Sequence, residues 1–365
     1  MIASCKRENL LKGLSIVGRM VRQRATLPVL SNILISTDKG RLKLSATDLE
    51  AAVTTWIGAK IDEEGAITVP ARTIIDYVSA TSDETVLITV KETDIGLTSE
   101  HNKTTIKGLE AGEFPQIPKI QGAGALELRA TDLKRAILST SFAAALDETR
   151  PVLAGILLKT KADKLHVVAT DSYRLAEKII DCGKAPKPFE IIIPSRTANE
   201  LSRILPSEDG EVAISIGESQ VEFSFDDIEF STRQIEGSFP DYDQIIPKEI
   251  TSEIETAASE FAEAIKTANV FARDVGGNIK ISVGSQKAVI NAMASQVGDT
   301  QASFAVEFKG TPMVVAFNAK YILDVLTILE GDRLVFGLTG ELNPGLICDK
   351  ADPTFKYVVM PLRSE

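Results

Sequence analysis

Apolar residues recur at helical spacing near the start of three successive parts of the chain. Residues three, four or seven positions apart lie on one side of an α-helix and form a stripe that packs against a core. Each part is therefore predicted to open with an amphipathic helix. The stripes consist of Leu10, Leu14, Val17 and Val21 in the first part, Leu133 and Ile137 in the second, and Phe261 and Ile265 in the third.

A second helix is predicted further along each part, after a short recurring marker. The marker reads Val69-Pro70-Ala71-Arg72, then Ile193-Pro194-Ser195-Arg196, then Phe317-Asn318-Ala319-Lys320. Five and eight residues after each marker begins, the side chain is apolar or aromatic, which fits a helical face. These residues are Ile74 and Tyr77, Ala198 and Leu201, and Ile322 and Val325.

The remaining regular pattern is that of β-strands. A β-branched run follows each second helix, at 86–90, 212–216 and 334–338. Shorter alternating runs at 41–45 and 95–98 are bounded by turn residues such as Asp38-Lys39-Gly40, which predicts antiparallel hairpins. The fold class is therefore α+β, with two helices packed on antiparallel sheets in each part.

The three parts are copies of one unit. The run Pro28–Ile35 returns as Pro151–Leu158, a shift of 151 − 28 = 123 residues, and Thr47-Asp48 returns as Thr170-Asp171. The helix markers are spaced by 193 − 69 = 124 and 317 − 193 = 124 residues. A period this long is that of a domain rather than of a solenoid repeat, and the predicted domains are residues 1–122, 123–248 and 249–365.

Composition narrows the class of protein. Among 365 residues, Lys and Arg number 40 and Asp and Glu 51, which gives a net charge of −11 and argues against a conventional nucleic-acid binder. Cys5, Cys182 and Cys348 have no disulfide or zinc-type spacing. No signal-peptide pattern and no apolar run of 18 residues occurs, so a cytoplasmic protein without membrane segments is expected.

Catalytic signatures are not found in the sequence. It contains no phosphate-binding loop, dinucleotide fingerprint, nucleophile elbow or H-E-x-x-H motif, and His101 and His166 lie in different copies. Asp48 and Asp171 could form a pair of catalytic carboxylates, but their equivalent positions after a threonine favour the capping of a turn. We predict no catalytic residue, no metal and no cofactor.

Four longer motifs resemble the bacterial DNA polymerase III β subunit, the sliding-clamp family, from end to end of the chain. They are Thr170–Ala176, Gly237–Tyr242, Phe317–Leu326 and Tyr357–Arg363. The resemblance implies a non-catalytic processivity factor of a DNA-directed DNA polymerase, a homodimer whose six domains form a ring around double-stranded DNA without sequence preference. It also implies short-peptide contacts with the replicative polymerase, the clamp loader, repair polymerases, mismatch-repair proteins and ligase.

Helix dimensions favour the dimer as the ring. Six helices spaced about 10 Å apart around a circle leave a hole about 9 Å wide, whereas twelve leave a bore of about 28 Å. B-DNA, roughly 20 Å across, passes only through the larger ring. A ring also suits the acidic chain, because a topological link holds DNA without many phosphate contacts.

The resemblance also implies three sets of site residues. A peptide cleft between the second and third domains would be lined by Leu153, Thr170, Ser172, Tyr173, Arg174, Leu175, Pro240, Gln244, Ile245, Asn318, Tyr321, Leu342, Val358, Met360, Pro361, Leu362 and Arg363. The duplex would be faced by Arg24, Arg72, Arg150 and Arg196, and the dimer seam would be formed by Thr104 and Ile106 against Val270 and Phe271.

Four residues depart from the family pattern. Many relatives have a basic residue at Gln244 and a different pair at Ser172-Tyr173, so peptide preference is expected to be shifted, and Thr104 replaces an aromatic residue of some relatives at the seam. Two alternatives stay open on the sequence. One is a three-domain scaffold that binds peptides without encircling DNA, and the other is an enzyme with an unrecognised site.

Overall fold

The described chain forms two compact units, each built from more than one stretch of sequence. The structure is a computed structural model and describes residues 1–22, 27–120, 126–147, 149–183, 187–208, 210–296 and 298–363. Unit 1 comprises Met1–Thr131 and Glu200–Gln234, and unit 2 comprises Asp132–Asn199 and Ile235–Glu365. Each unit thus combines parts of more than one sequence repeat.

Both helices predicted for each repeat are present. Each second helix begins at the third residue of its marker. The residues predicted to face inward, such as Leu10, Leu14 and Ile322, are buried, except that Val21 and Tyr77 are half-buried. The six helices are α1 (Arg7–Val17), α2 (Ala71–Ala80), α3 (Ala130–Thr140), α4 (Ser195–Ile204), α5 (Ala258–Ala272) and α6 (Ala319–Leu326).

The first helix is shorter than its apolar stripe predicted. α1 ends at Val17, a 3-10 turn covers Gly18–Met20, and Val21 is extended, with φ −76° and ψ 126°. Gly18 has a low helix propensity, and a Cβ there would lie 2.6 Å from Cδ1 of Ile75 on α2. The prediction that Val21 belongs to the helix is therefore wrong, because the backbone tightens to a 3-10 turn after Val17 and is extended at Val21.

Unit 1 contains two antiparallel sheets, and α1 packs on α2 and on strands β3 and β4. The five-stranded sheet has the order β5 (Lys60–Glu63), β1 (Ile2–Lys6), β7 (Thr85–Lys91), β8 (Asp94–Thr98), β9 (Lys103–Lys107). The eight-stranded sheet has the order β10 (Leu126–Arg129), β15 (Glu211–Ile216), β16 (Gln220–Phe225), β17 (Ile228–Arg233), β4 (Ala51–Ile57), β3 (Arg41–Thr47), β2 (Asn32–Asp38), β6 (Ala66–Pro70). The pairing of β4 with β17 joins the first repeat to the second.

Unit 2 repeats this plan, with α5 packed on α6 and on strands β20 and β21. Its nine-stranded sheet has the order β14 (Glu190–Pro194), β11 (Gly155–Lys161), β12 (Lys164–Thr170), β13 (Arg174–Asp181), β26 (Phe355–Val359), β25 (Gly345–Asp349), β24 (Arg333–Leu338), β18 (Ser252–Ala257), β22 (Glu307–Gly310). The four-stranded sheet has the order β21 (Gly298–Ala305), β20 (Lys287–Ala294), β19 (Asn278–Val283), β23 (Met313–Asn318). Here β13 and β26 join the second repeat to the third.

The predicted strands and their first turn are confirmed. The runs at 86–90, 212–216 and 334–338 lie in β7, β15 and β24, and the hairpin from β2 to β3 turns at Lys39 and Gly40, whose φ angles are 49° and 75°. Such positive φ angles at both central residues suit a tight hairpin. Among the described residues, no helix is long and apolar enough to cross a membrane, and the three cysteines are free thiols.

Candidate functional site

A Thr-Asp turn shapes one end of the candidate cleft in unit 2. The hydroxyl of Thr170 donates to the carbonyl oxygen of Arg174 at 2.7 Å, and one carboxylate oxygen of Asp171 accepts the backbone N–H groups of Tyr173 and Arg174 at 2.9 and 3.0 Å. Ser172 between them adopts φ 80°. Asp171 therefore caps a turn, which confirms the structural interpretation of this carboxylate over the catalytic one.

The turn leads directly into the pairing of β13 with β26. Leu175 lies opposite Val358 and Arg174 opposite Val359, and the backbone N–H of Met360 then donates to the carbonyl oxygen of Tyr173 at 2.9 Å. The N–H of Leu362 donates to the carbonyl oxygen of Ala316 at 2.8 Å. These bonds fix the C-terminal segment beside the turn, so sequence positions almost two hundred residues apart line one site.

An apolar cluster forms around the paired strands β13 and β26. The cluster brings together three predicted cleft residues, Leu175, Ile245 and Val358. Its buried members are Leu157, Val168, Leu175, Ile192, Phe239, Tyr242 and Val358, and Val152, Ile235, Ile245, Ile246 and Leu346 pack against them while partly exposed. Aliphatic and aromatic side chains with partial exposure form the kind of surface that binds an apolar peptide side chain.

Arg174 is a structural brace of the cleft. Only 7% of its side chain is exposed, and its guanidinium donates to Asp171 at 3.0 Å and to Asp324 at 2.5 Å. Its Cζ atom also lies 4.7 Å from the ring centre of Tyr321. Burial disfavours the charged guanidinium, but the hydrogen bond to Asp324 and the charge of Asp171 outweigh this, and the pKa of Arg174 is raised. Its donors therefore hold the turn against α6.

The other predicted cleft residues range from exposed to buried. Tyr173 is 57% exposed and stacks on Tyr321 with ring centres 6.4 Å apart, while Leu342 is 70% exposed. Met360, Pro361 and Leu362 are half-buried, Pro240 and Arg363 are exposed, and Leu153 is buried. Gln244 donates to Asp241 at 2.6 Å. Asn318 instead caps α6, because its side chain accepts the N–H of Lys320 at 2.9 Å.

The four arginines predicted to face DNA do not have equivalent surroundings. Arg24 lies outside the described residues. Arg72 on α2 is 82% exposed, with Nε 3.6 Å from a carboxylate oxygen of Asp76, and Arg196 on α4 is exposed. Arg150 is exposed and donates to the hydroxyl of Ser172 at 3.1 Å. Arg150 therefore lies beside the cleft turn, a proximity that the sequence did not indicate.

The predicted seam residues lie at the edges of their sheets or helices. Thr104 and Ile106 belong to β9, the edge strand of the five-stranded sheet; Thr104 is half-buried, and Ile106 is only 7% exposed. Val270 near the end of α5 is 53% exposed, and Phe271 is half-buried. In unit 2, β21 is likewise an edge strand. Edge strands offer unpaired backbone groups to a partner.

Both histidines have carboxylate neighbours that the sequence did not reveal. Nδ1 of His101 lies 2.8 Å from Asp83, and Nδ1 of His166 lies 2.8 Å from Glu177. Asp83 also accepts hydrogen bonds from Ser99 and Asn102, so Ser99 is not paired with the imidazole as a nucleophile would be. The carboxylate of Asp83 lies close enough to Glu100 and His101 to share a metal ion with them, but its oxygens are already hydrogen-bonded to protein groups.

The repeated α+β domain, the sheets that join successive repeats and the apolar cluster at the β13–β26 junction agree with a clamp-type subunit. Sequence models of the DNA polymerase III beta subunit match it as N-terminal domain at residues 1–118, central domain at 127–241 and C-terminal domain at 243–363. The chain belongs to the DNA polymerase III beta subunit family.

Relatives and solved structures match over the full length. The beta sliding clamp of Synechococcus elongatus is 30% identical over 369 residues, which cover 98% of each chain. The DNA polymerase III subunit beta of Pseudomonas aeruginosa is 29% identical with a TM-score of 0.96, and the DNA polymerase sliding clamp of Bacillus subtilis is 28% identical with a TM-score of 0.95. Both structures cover 100% of this chain, and this chain covers 100% of each.

Proposed function

We propose that this chain is a sliding clamp that tethers DNA polymerase to duplex DNA as a non-catalytic processivity factor. The observation that carries this proposal is the full-length match to beta sliding clamps, together with an apolar cleft at the β13–β26 junction. The net charge of −11 agrees with a protein held on DNA by encirclement rather than by many phosphate contacts. The free thiols of all three cysteines support a cytoplasmic location.

The ring requires two chains in a head-to-tail arrangement. We propose domains with boundaries at 1–122, 123–248 and 249–365, and a seam in which the β9 edge meets the region of Val270 and Phe271 in a second chain. The edge position of β9 and the exposure of Val270 support this assignment. Arg24, Arg72 and Arg196 would attract the duplex, whereas the contact of Arg150 with Ser172 favours a role beside the cleft.

The cleft would bind short peptides with a hydrophobic tip. Ile245, Ile246 and Leu346 are partly exposed and provide the apolar surface, with Leu175 and Val358 buried beneath them. Tyr173 and Leu342 offer further exposed apolar surface. The polymerase catalytic subunit, the clamp loader, repair polymerases, mismatch-repair proteins and ligase would use this one site in turn. Because Gln244 is neutral, an acidic residue of the peptide would gain less here than at a basic side chain.

Removal of residues 360–365 tests the cleft. We expect the truncated chain to lose binding of a Gln-x-x-Leu-Phe peptide, with affinity at least about 30-fold lower, because a buried apolar anchor contributes about 2 kcal/mol or more. Met293→Ala is the matched control, since Met293 is 77% exposed and lies outside the cleft. Unchanged peptide affinity after truncation would move the cleft elsewhere.

Native mass separates the clamp from a monomeric scaffold. The clamp predicts a particle of 2 × 39.4 = 78.8 kDa for the parent chain, for the truncated chain at slightly lower mass, and for Met293→Ala. Val270→Glu should yield monomers, because it places a charge in the proposed seam. A parent chain that remains at 39.4 kDa at micromolar concentration would favour the scaffold.

A further inference from the structure

Unit 1 contains a groove that no part of the proposed clamp function uses. It has a volume of about 120 Å³ and lies where β4 pairs with β17, beside the segment Pro115–Pro118. A water molecule occupies about 30 Å³ of liquid volume, and drug-sized ligands need several hundred. The groove therefore accommodates one or two side chains rather than a cofactor.

The backbone around this groove is the same as that around the cleft of unit 2. Thr47 donates to the carbonyl oxygen of Ala51 at 2.8 Å, and Asp48 accepts the N–H groups of Glu50 and Ala51 at 3.1 and 2.9 Å. Leu49 adopts φ 75°, matching the 80° of Ser172. The N–H of Arg233 donates to the carbonyl oxygen of Glu50 at 2.9 Å, as that of Met360 does to Tyr173.

The lining combines an apolar wall with polar groups. Leu49 is 49% exposed at the rim, and Pro115, Ile117 and Pro118 form the adjacent wall. Ile117 packs against the buried cluster of Val29, Leu30 and Phe114, which holds the wall in place. Thr47, Ser231 and Thr232 line the strand side, and the hydroxyls of Thr47 and Thr232 already donate to the backbone carbonyl oxygens of Ala51 and Arg233. An aliphatic side chain can thus lie on the apolar wall, beside a strand side that is polar but internally bonded.

The charges at the groove leave one cation available. Glu50 is paired with Arg22, whose guanidinium lies 3.1 Å from it and also binds Asp48 at 2.8 Å. Arg233 is exposed, and within the described part of the chain its guanidinium has no hydrogen bond or ion pair. An occupant that carries a carboxylate next to its apolar side chain therefore complements the groove.

We propose that this groove binds an extended peptide segment in which an aliphatic residue is adjacent to glutamate or aspartate. The aliphatic side chain occupies the wall formed by Leu49, Pro115 and Ile117, and the carboxylate pairs with Arg233. The proposal rests on the proposed function in one respect, because it assigns a peptide to a backbone frame that unit 2 would use for peptides. The ligand chemistry of the groove differs from that of the cleft in unit 2. The groove selects an acidic residue next to the aliphatic one, whereas the cleft would bind a hydrophobic tip.

Methyl-resolved NMR of the full chain provides the test. The probe is the blocked peptide acetyl-Ala-Leu-Glu-Glu-Ala-amide, with acetyl-Ala-Leu-Lys-Lys-Ala-amide and acetyl-Ala-Gly-Glu-Glu-Ala-amide as matched controls. We expect the first peptide to shift the methyl signals of Leu49 and Ile117 with a dissociation constant of about 1 mM or lower, as befits one small contact. Each control should bind at least about tenfold more weakly.

Two variants separate binding from folding. Arg233→Glu should weaken the acidic peptide at least about tenfold, because an exposed ion-pairing donor becomes a repelling charge. Leu49→Gly removes the apolar rim while suiting the positive φ, so binding should weaken although the fold is retained. Lys91→Glu, an exposed charge change elsewhere in unit 1, is the matched control and should leave the affinity unchanged.

The two sites can fail independently. A Gln-x-x-Leu-Phe peptide should move the methyl signals of Met360 and Leu362, and its failure to do so contradicts the proposed cleft but not the groove. The groove proposal would be overturned if the methyl signals of Leu49 and Ile117 do not shift at a peptide concentration about five times the expected dissociation constant. Equal affinity of the parent chain and of Arg233→Glu for the acidic peptide would also overturn it. Binding of the acidic peptide at Met360 and Leu362 alone would overturn it as well.

Discussion

The junction of β4 with β17 in unit 1 and that of β13 with β26 in unit 2 present different side chains from one backbone frame. Where unit 2 places Leu175 opposite Val358, unit 1 places Ala52 opposite Ser231. On the neighbouring strand, Val168 of unit 2 corresponds to Ser45 of unit 1, judged from the register of each strand with its partner. Unit 2 thus has an apolar cleft, and unit 1 has a small groove with hydroxyl groups.

The difference shows which residues specify the frame and which specify the ligand. Both turns depend on a threonine hydroxyl and an aspartate carboxylate that bond to backbone groups, so the frame tolerates changes at the paired strand positions. The paired side chains point to the sheet face and can change without altering those bonds. An internal repeat can therefore keep a binding architecture while its chemistry changes from copy to copy.

The largest expected difference between the junctions concerns their buried charge. Arg174→Ala should lower the free energy of unfolding of unit 2 by about 3–5 kcal/mol, because Asp171 and Asp324 lose a buried partner. Arg22→Ala in unit 1 should cost less, about 1–2 kcal/mol, because the Arg22 side chain is 40% exposed although its partner Asp48 is only 4% exposed. Native-state hydrogen exchange at β13 and β4 measures both effects. Equal losses at the two junctions would contradict the distinction.

A reciprocal exchange of paired residues gives the next largest effect. Val358→Ser should destabilise unit 2 by about 2–4 kcal/mol, because Val358 is fully buried in an apolar cluster. Ser231→Val at the matched position should change the stability of unit 1 by under about 1 kcal/mol, since Ser231 borders the groove. Hydrogen exchange at β26 and β17 measures these values. A larger loss from Ser231→Val would show that the groove is filled by close packing.

Acidification should remove the contribution of one exposed ion pair in each unit, and the two contributions should be alike and small. Lys161 donates to Asp243 at 2.7 Å in unit 2, and Arg41 donates to Asp227 at 2.8 Å in unit 1; each hydrogen bond lowers the pKa of its carboxyl group. The stabilisation is complete above the unfolded-state pKa of about 3.9 and is lost as pH falls through the lower folded-state value. Because both pairs are exposed, Asp243→Asn or Asp227→Asn should cost about 0.5 kcal/mol or less at pH 7 and nothing at strongly acidic pH. A cost that grows on acidification would reverse the assigned sign.

Local sequence patterns were sufficient for much of the fold. The spacing of Pro70-Ala71 and its two later counterparts located the second helix of each repeat, and Thr47-Asp48 and Thr170-Asp171 located both turns. These features depend on hydrogen bonds and helical periodicity within a few residues. The apolar stripe of α1 was misleading at Val21, since α1 ends at Val17 and Val21 is extended after a 3-10 turn.

Long-range contacts explain what the sequence did not predict. Arg174 was assigned to the cleft lining, but the contact of its guanidinium with Asp324, 150 positions away in the chain, was not predicted. The assignment of Arg150 to the DNA-facing set stays a prediction, but its contact with Ser172 at the cleft turn was not predicted. The groove of unit 1 was not predicted at all, because its wall and strands come from three separate segments. The repeat of Thr-Asp was the one signal that could have indicated it.

The central claim is that the protein holds DNA by encirclement, and retention on circular DNA tests it most directly. The protein is loaded on a nicked circle, the salt is raised from about 50 to 200 mM, and retention is measured by gel filtration before and after a restriction enzyme cuts the circle. The clamp predicts that protein stays on the intact circle through the salt step and leaves after cutting, since it slides off the ends. Equal retention on circular and linear DNA would contradict topological linkage.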